Sequence, residues 1–151
     1  MNTDQVAVAH TPPGGWHGEM PPLVLARCDE PITPGLPDMR GLWKAFAVEI
    51  DGQLSDDLRH VERIEQAGNR VVITAGGVIH DMRADGTLEN GVNDVAAAGH
   101  NPISVAATFE DGVLVLRPNN AFIAVTRHLE DDVLVWNMLP LKRVTRMRRA
   151  G

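Results

Sequence analysis

The sequence has no tyrosine, a single cysteine and only 4% aromatic residues. With Cys28 alone, an internal disulfide framework is excluded, and a reducing compartment is favoured. No segment approaches the ~20 consecutive apolar residues that a membrane-crossing helix needs. The first residues show neither the basic patch nor the apolar stretch of a signal peptide. We therefore expect a cytoplasmic protein without a membrane span.

Several signatures of catalysis and cofactor binding are also missing. There is no Gly-x-Ser-x-Gly nucleophile motif and no glycine-rich phosphate loop. Cys28 stands beside Asp29 and Glu30, two acids that would not activate a nucleophile. No two of the six histidines have the spacing of a helical zinc motif. Covalent and nucleotide-driven chemistry are disfavoured, and we expect neither a metal nor a cofactor.

The charge of the chain is uneven. A net charge of −6 argues against a nucleic-acid partner. Basic residues nevertheless cluster near the carboxyl end: Lys142, Arg143, Arg146, Arg148 and Arg149. Such charges commonly solvate and end an edge strand. The alternative is that one or two of them point inward at an anion.

Proline divides the chain into two parts. Seven of the ten prolines fall within the first 37 residues, which forbids helix and favours an extended path. Residues 1–40 are thus predicted to form an arm. Because the arm contains Trp16, Met20 and the run Leu23–Ala26, we expect it to pack on the remaining domain, residues 41–151.

From Gly41 onward, short apolar segments alternate with turn signals such as Asp85-Gly86 and Asp111-Gly112. This pattern predicts an all-β fold, an up-and-down antiparallel β-barrel of 8–10 strands. The predicted strands are about 42–50, 60–66, 70–76, 78–84, 87–93, 103–109, 113–117, 121–129, 133–138 and 142–149. One helical turn is predicted over Leu54–His60, with Ser55 as its N-cap.

Two segments are apolar on both faces, Val71–Ile73 and Val113–Leu116. A strand of this kind needs cover on the outside of a barrel as well as on the inside. The arm or a second subunit would supply it, so a homodimer remains open.

The segment Gly41-Leu42-Trp43-Lys44, at the start of the first strand, resembles the lipocalin and fatty-acid-binding-protein superfamily over residues 41 to 149. The resemblance implies a tryptophan at the closed end of a ligand-holding barrel, with a basic residue of the last strand over its ring. Nitrobindin-like haem barrels share this architecture, but their glycine-rich motif after the tryptophan is missing.

The last hairpin also resembles that of fatty-acid-binding proteins, where an inward arginine and a tyrosine two residues on hold a ligand carboxylate. Arg146 matches the arginine, whereas Arg148 stands in the tyrosine's place, so the full clamp does not carry over. An inward Arg146 needs an acidic partner or an anionic ligand. Alternatively, Arg146 packs over Trp43 and pairs with Glu49.

Three further residues are candidates for the barrel interior. An inward Trp43 places Glu49 inside as well, unless a bulge switches the faces of the first strand. His80 shares a face with Val78 and Met82, and His128 shares one with Thr126. Each histidine is either a satisfied structural residue or a hydrogen-bonding group or general base in the cavity.

These observations lead to three hypotheses. The first is binding of a small hydrophobic or amphipathic molecule in the barrel, with Arg146, Arg148, Trp43, His80 and His128 as ligand-binding candidates. The second is a non-covalent acid–base enzyme, an isomerase, cyclase or lyase, in which His80 or Glu49 carries the proton. The third is an interaction protein whose barrel is filled by its own side chains.

Overall fold

A computed structural model describes residues 1–95 and 103–151 and shows an all-β protein. Its helical segments within those ranges are two 3₁₀ turns, Thr3–Gln5 and Leu139–Leu141. Neither is long or apolar enough to cross a membrane, and no other described segment forms a helix that could.

The described residues form eleven strands. They are β1 (Gly41–Ile50), β2 (Gln53–Ser55), β3 (Val61–Ala67), β4 (Arg70–Ala75), β5 (Val78–Arg83), β6 (Val92–Val95), β7 (Ile103–Glu110), β8 (Val113–Pro118), β9 (Val125–Glu130), β10 (Val133–Met138) and β11 (Arg143–Arg149). The alternation of apolar and polar residues therefore locates most strands closely. The predicted strand over 87–93 is displaced, because β6 begins only at Val92.

The strands form a nearly closed antiparallel barrel with the order β5-β4-β3-β1-β11-β10-β9-β8-β7-β6, and β2 pairs with β1 alone. The first and last strands of the chain are therefore neighbours, as a barrel requires. The seam lies between β5 and β6, where single hydrogen bonds replace a ladder. Arg83 N donates to Asn90 O over 2.8 Å, and Gly86 N donates to Ala107 O over 2.8 Å.

The end of the barrel where β1 begins is filled by large apolar side chains. Trp43, Met39, Leu134 and Met147 have no exposed surface and belong to one cluster with the inward residues of the other strands. We call this the closed end, and the opposite end, where β4 meets β5, the mouth. Such packing leaves no room for a ligand beside Trp43.

A β-bulge divides β1. Its register with β11 shifts between Ala45 and Ala47, so that Val48, rather than Ala47, is the next inward residue after Ala45. Strict alternation from Trp43 would place the charged Glu49 inside. The bulge places the apolar Val48 inside instead.

The helical turn predicted over Leu54–His60 is wrong. Asp51 and Gly52 both adopt positive φ values, 51° and 79°, and join β1 to β2 as a two-residue hairpin turn. Ser55 does not cap a helix; its hydroxyl accepts a hydrogen bond from Asp57 N. The sequence contains an Asp-Gly turn signal here that outweighs the helix-capping signal.

Most of the arm, residues 1–40, lies against the outer face of β3, β4 and β5, and its end carries Met39 into the closed end of the barrel. Leu25 of the arm packs with the outward residues Ala67, Val72 and Ile79, and Trp16 and Val24 add to the cluster. Val72 is therefore buried although it points away from the barrel interior. The arm of the same chain supplies the outer cover that the sequence of β4 requires.

Buried charges hold the arm through its main chain. Arg70 pairs with Asp81, with Nη2 2.6 Å from Oδ2, and both side chains are almost fully buried. Its guanidinium also donates to the carbonyl oxygens of Thr3, Val6 and Ala7. The carboxylate of Glu65 accepts from Val24 N and Leu25 N. The arm is thus an integral layer of the fold.

Candidate functional site

The interior of the barrel holds a buried ion pair that crosses it. Glu62 on β3 and Arg127 on β9 are separated by three strands, β1, β11 and β10. Arg127 Nε lies 3.0 Å from Glu62 Oε2, and Arg127 Nη2 lies 3.2 Å from Glu62 Oε1. The carboxylate is fully buried and the guanidinium nearly so. A bidentate pair of this kind bridges two walls of the barrel.

His60, just before β3, completes the environment of Glu62. Its Nε2 lies 2.7 Å from Glu62 Oε1. Burial acts to raise the pKa of Glu62, but the charge of Arg127 and the hydrogen bonds from His60 and Arg127 outweigh it and lower the pKa to about 2. Glu62 is therefore ionised, and since a carboxylate only accepts hydrogen bonds, His60 Nε2 must donate.

Trp136 on β10 lies against this pair. The Arg127 guanidinium carbon is 4.7 Å from the Trp136 ring centroid, and the His60 ring centroid is 4.7 Å from it. Trp136 Nε1 is buried and has no hydrogen-bond acceptor among the described residues. We call His60, Glu62, Arg127 and Trp136 the interior polar cluster.

Two cavities open at the mouth, and the smaller one is bounded by His60 of this cluster. One, of about 950 Å³, is bounded by the arm segment 11–18 and by Val78, His80, Asp94 and Val95. The other, of about 560 Å³, is lined by His60, Arg143 and the arm residues Trp16 and Met20. Trp16 is fixed between them, because its Nε1 donates to Val78 O over 2.9 Å. The arm therefore shapes the entrance to the barrel.

His80 links the larger cavity to the cluster. It lies on the face of β5 that also bears Met82, a residue of the barrel core. Burial lowers the pKa of His80; the nearby charge of Asp94 opposes that shift, and the charge of Arg127 adds to it. The imidazole is consequently neutral at pH 7 and can either donate or accept a hydrogen bond.

The depressed pKa of His80 has a consequence for stability. A group with a pKa below its unfolded value of about 6.5 resists protonation in the folded state. The free energy of unfolding should therefore decrease as the pH falls through about 6.5 toward the folded pKa. Nuclear magnetic resonance of the imidazole should give a pKa below 6.5, and His80→Gln should remove this part of the pH dependence. A pKa of His80 above its ordinary value would contradict the account.

The two arginines predicted to read a ligand point away from the interior. On β11 the inward face carries Arg143, Thr145 and Met147. Thr145 and Met147 pair with Val48 and Ala45 of β1, and Arg143 Nε donates to Thr145 Oγ1 at the mouth. Arg146 lies on the opposite face, and so does Arg148, whose guanidinium carbon sits 3.9 Å from the ring centroid of Phe46. The predicted inward orientation of both is wrong, because the registers with β1 and β10 place Met147 in the core.

Two other candidates also lie outside. Beyond the bulge, Glu49 is on the face opposite Val48, so its predicted role as an interior proton carrier is wrong. His128 faces outward next to the inward Arg127, and its Nε2 lies 3.1 Å from the exposed carboxylate of Glu130. Neither side chain can reach a ligand within the barrel.

Trp43 is inward and lies at the closed end. Its Nε1 donates to Met39 O over 2.9 Å, and the guanidinium carbon of Arg149 lies 4.4 Å from the ring centroid. The basic residue over the tryptophan ring is thus Arg149, whose side chain also donates to Arg40 O. Because Trp43 is wholly buried, it closes the barrel and does not line the mouth cavities.

Sequence reasoning missed Glu62, Arg127, His60 and Trp136 as a group. The available signal was a charge at an inward position of an alternating strand. Glu62 lies two residues before the inward Ile64, and Arg127 lies two residues from each of the inward Val125 and Leu129, so alternation places both charges inside. A charge at such a position must be paired, since an isolated buried ion is too costly.

Within residues 1–95 and 103–151, no group of histidine, cysteine, aspartate or glutamate side chains is arranged to hold a metal ion. No protein-family model matches the sequence, and a search of curated proteins finds no match either. The functional proposal below is therefore based on the geometry of the barrel.

Proposed function

We propose that the protein binds a small hydrophobic or amphipathic molecule in the mouth half of its barrel. The ligand enters between the arm and the ends of β5 and β6 and reaches the interior polar cluster. Apolar parts of the ligand contact Val78 and Val95, and polar parts contact His80. The arginine of the site is Arg127, which is inward, in place of Arg146.

The observation that carries this proposal is the contrast between the two ends of the barrel. The closed end is packed with side chains that have no exposed surface, whereas the mouth has a cavity of about 950 Å³. Cavities of roughly 300–1,000 Å³ with apolar walls and a few polar groups are typical of small-molecule sites. An interaction protein with a filled barrel would have no such space at the mouth.

We also propose that the barrel is of the lipocalin and fatty-acid-binding-protein type. The opening Gly41-Leu42-Trp43 of β1 supports this, together with the contact of Arg149 with the Trp43 ring. The antiparallel order, with β1 beside β11, is compatible with it. A cytoplasmic location stays a prediction from the sequence.

Binding can be tested by filling the mouth. A neutral dye that fluoresces in apolar surroundings should bind with a stoichiometry of one and be displaced by 2-octanone. Val78→Trp should abolish both signals, because the larger ring occupies the cavity that Val78 lines. Leu141→Trp, at a residue 58% exposed, is the matched control and should bind normally. Equal binding by the two variants would contradict the proposal.

An acid–base enzyme is the second candidate. The lowered pKa of His80 favours it, because a neutral imidazole lining a cavity can accept a proton. Glu49 has no role in this second candidate function, because its side chain lies outside the barrel. After incubation in D2O, recovery of bound 2-octanone unchanged would support the first proposal, whereas recovery with its α-hydrogens exchanged for solvent deuterium, and loss of that exchange in His80→Gln, would favour proton transfer by His80.

A further inference from the structure

We propose that the interior polar cluster recognises an uncharged carbonyl oxygen on the ligand, as in a ketone, ester or amide, in preference to a carboxylate. This inference rests on the proposed function and adds the chemistry of the ligand's polar end. The two groups that bind the oxygen are Arg127 Nη1 and Trp136 Nε1.

Both groups are donors without an acceptor. Arg127 uses Nε and Nη2 to hold Glu62, and its Nη1 makes no hydrogen bond within the described part of the chain. Trp136 Nε1 is buried and equally unpartnered there. The Arg127 guanidinium carbon lies 4.7 Å from the Trp136 ring centroid, so the two side chains that carry these donors are in contact. One carbonyl oxygen, with two lone pairs, can accept from both.

The described residues contain one other such pair of neighbouring donors, and it lies outside the barrel. The other two buried polar atoms without partners, Arg63 Nε and Thr74 Oγ1, belong to side chains on the outer face that the arm covers. Leaving a buried donor unpaired costs the desolvation of that group. Of the described unpartnered atoms, only that of Trp136 lies beside the polar pair inside the barrel.

The charge balance of the cluster selects an uncharged acceptor. Glu62 is ionised and already neutralises Arg127 at 3.0 Å. A ligand carboxylate would bring a second negative charge beside Glu62, and Asp94 adds a further negative charge to the larger cavity through which the ligand enters. Arg127, the described cation of the cluster, is already paired; Arg143 lines the smaller cavity instead, and His80 is neutral at pH 7. Burial of an unbalanced charge is costly, whereas a carbonyl oxygen adds none.

The experiment compares three probes of equal length, 2-octanone, octanoate and octane, by displacement of the neutral dye at pH 7. We expect 2-octanone to bind more tightly than octanoate and octane. Trp136→Phe keeps the ring against Arg127 but removes the donor, so it should weaken 2-octanone about three- to tenfold and leave octane unchanged. Trp43→Phe is the matched control, because its lost donor bonds Met39 O at the closed end; it should keep the order of the probes.

Infrared spectroscopy of carbonyl-labelled 2-octanone supplies a second readout that does not depend on folding stability. The carbonyl stretch of the bound ketone should shift to lower frequency, as two hydrogen bonds require, and Trp136→Phe should reverse part of the shift. Octanoate binding as tightly as 2-octanone, or an unshifted carbonyl band, would overturn the inference while leaving small-molecule binding intact. If none of the three probes binds, the proposed function itself fails.

Discussion

Replacing Arg127 with methionine should lower the free energy of unfolding by about 3–5 kcal/mol at pH 7. The substitution leaves the carboxylate of Glu62 fully buried with His60 as its remaining side-chain partner. Urea unfolding measures the loss. The double variant Glu62→Leu with Arg127→Met should recover most of it, because a paired charge is then replaced by apolar volume.

Two controls sharpen this prediction. Arg117→Met breaks a pair with the exposed Glu110 and should have a far smaller effect, since surface pairs contribute little. In Arg127→Met, burial should raise the pKa of Glu62 above its unfolded value. The difference in unfolding free energy between the unsubstituted protein and the variant should then decrease as the pH falls and increase as the pH rises. A loss below about 1 kcal/mol that does not change with pH would contradict the cross-barrel pair.

Replacing Arg70 with methionine should have a similarly large effect, about 3–5 kcal/mol, and should also release the start of the arm. Arg70 is 2% exposed, and its loss leaves Asp81 without its cation and three arm carbonyls without their donor. Limited proteolysis should cut residues 1–11 of the variant well before the barrel unfolds.

A neighbouring arginine provides the control for the arm. Arg83 also reaches the arm, but its partner Asp4 is largely exposed, with 84% of its side-chain surface accessible. Arg83→Met should therefore change stability and proteolysis only slightly. If both variants released the arm equally, the buried Arg70–Asp81 pair would not be what holds it.

The strand pattern made the barrel predictable from the sequence, because side chains on a strand alternate between two environments. The same reasoning applies to Val71–Ile73, where apolar residues on both faces predicted a covering layer outside the barrel. The arm supplies that layer. The proline-rich composition predicted the extended path of that arm, but not its partners. Arg70 and Glu65 bind its main chain, and main-chain contacts leave no mark in the arm's sequence.

The candidate site was harder to predict for two physical reasons. A one-residue bulge between Ala45 and Ala47 reverses the inward face of β1; the sequence left a bulge in this strand open but did not place it. This placed Glu49 outside. The register of β11 likewise places Arg146 outside. Its orientation could not be predicted from the sequence, because a strand with arginines on both faces shows no clear alternation. The pair of Glu62 with Arg127 joins residues that become neighbours only when the barrel closes.

The most direct test of binding inside the barrel is a nuclear magnetic resonance titration of the ¹⁵N-labelled protein with 2-octanone. Its three tryptophans give three indole N–H signals. Those of Trp16 and Trp43 are already bonded to Val78 O and Met39 O. The account predicts a large shift of the Trp136 indole signal, with shifts at His80 and a steady Trp43 signal. Shifts confined to exposed residues such as Leu139 and Leu141, with Trp136 unchanged, would contradict it.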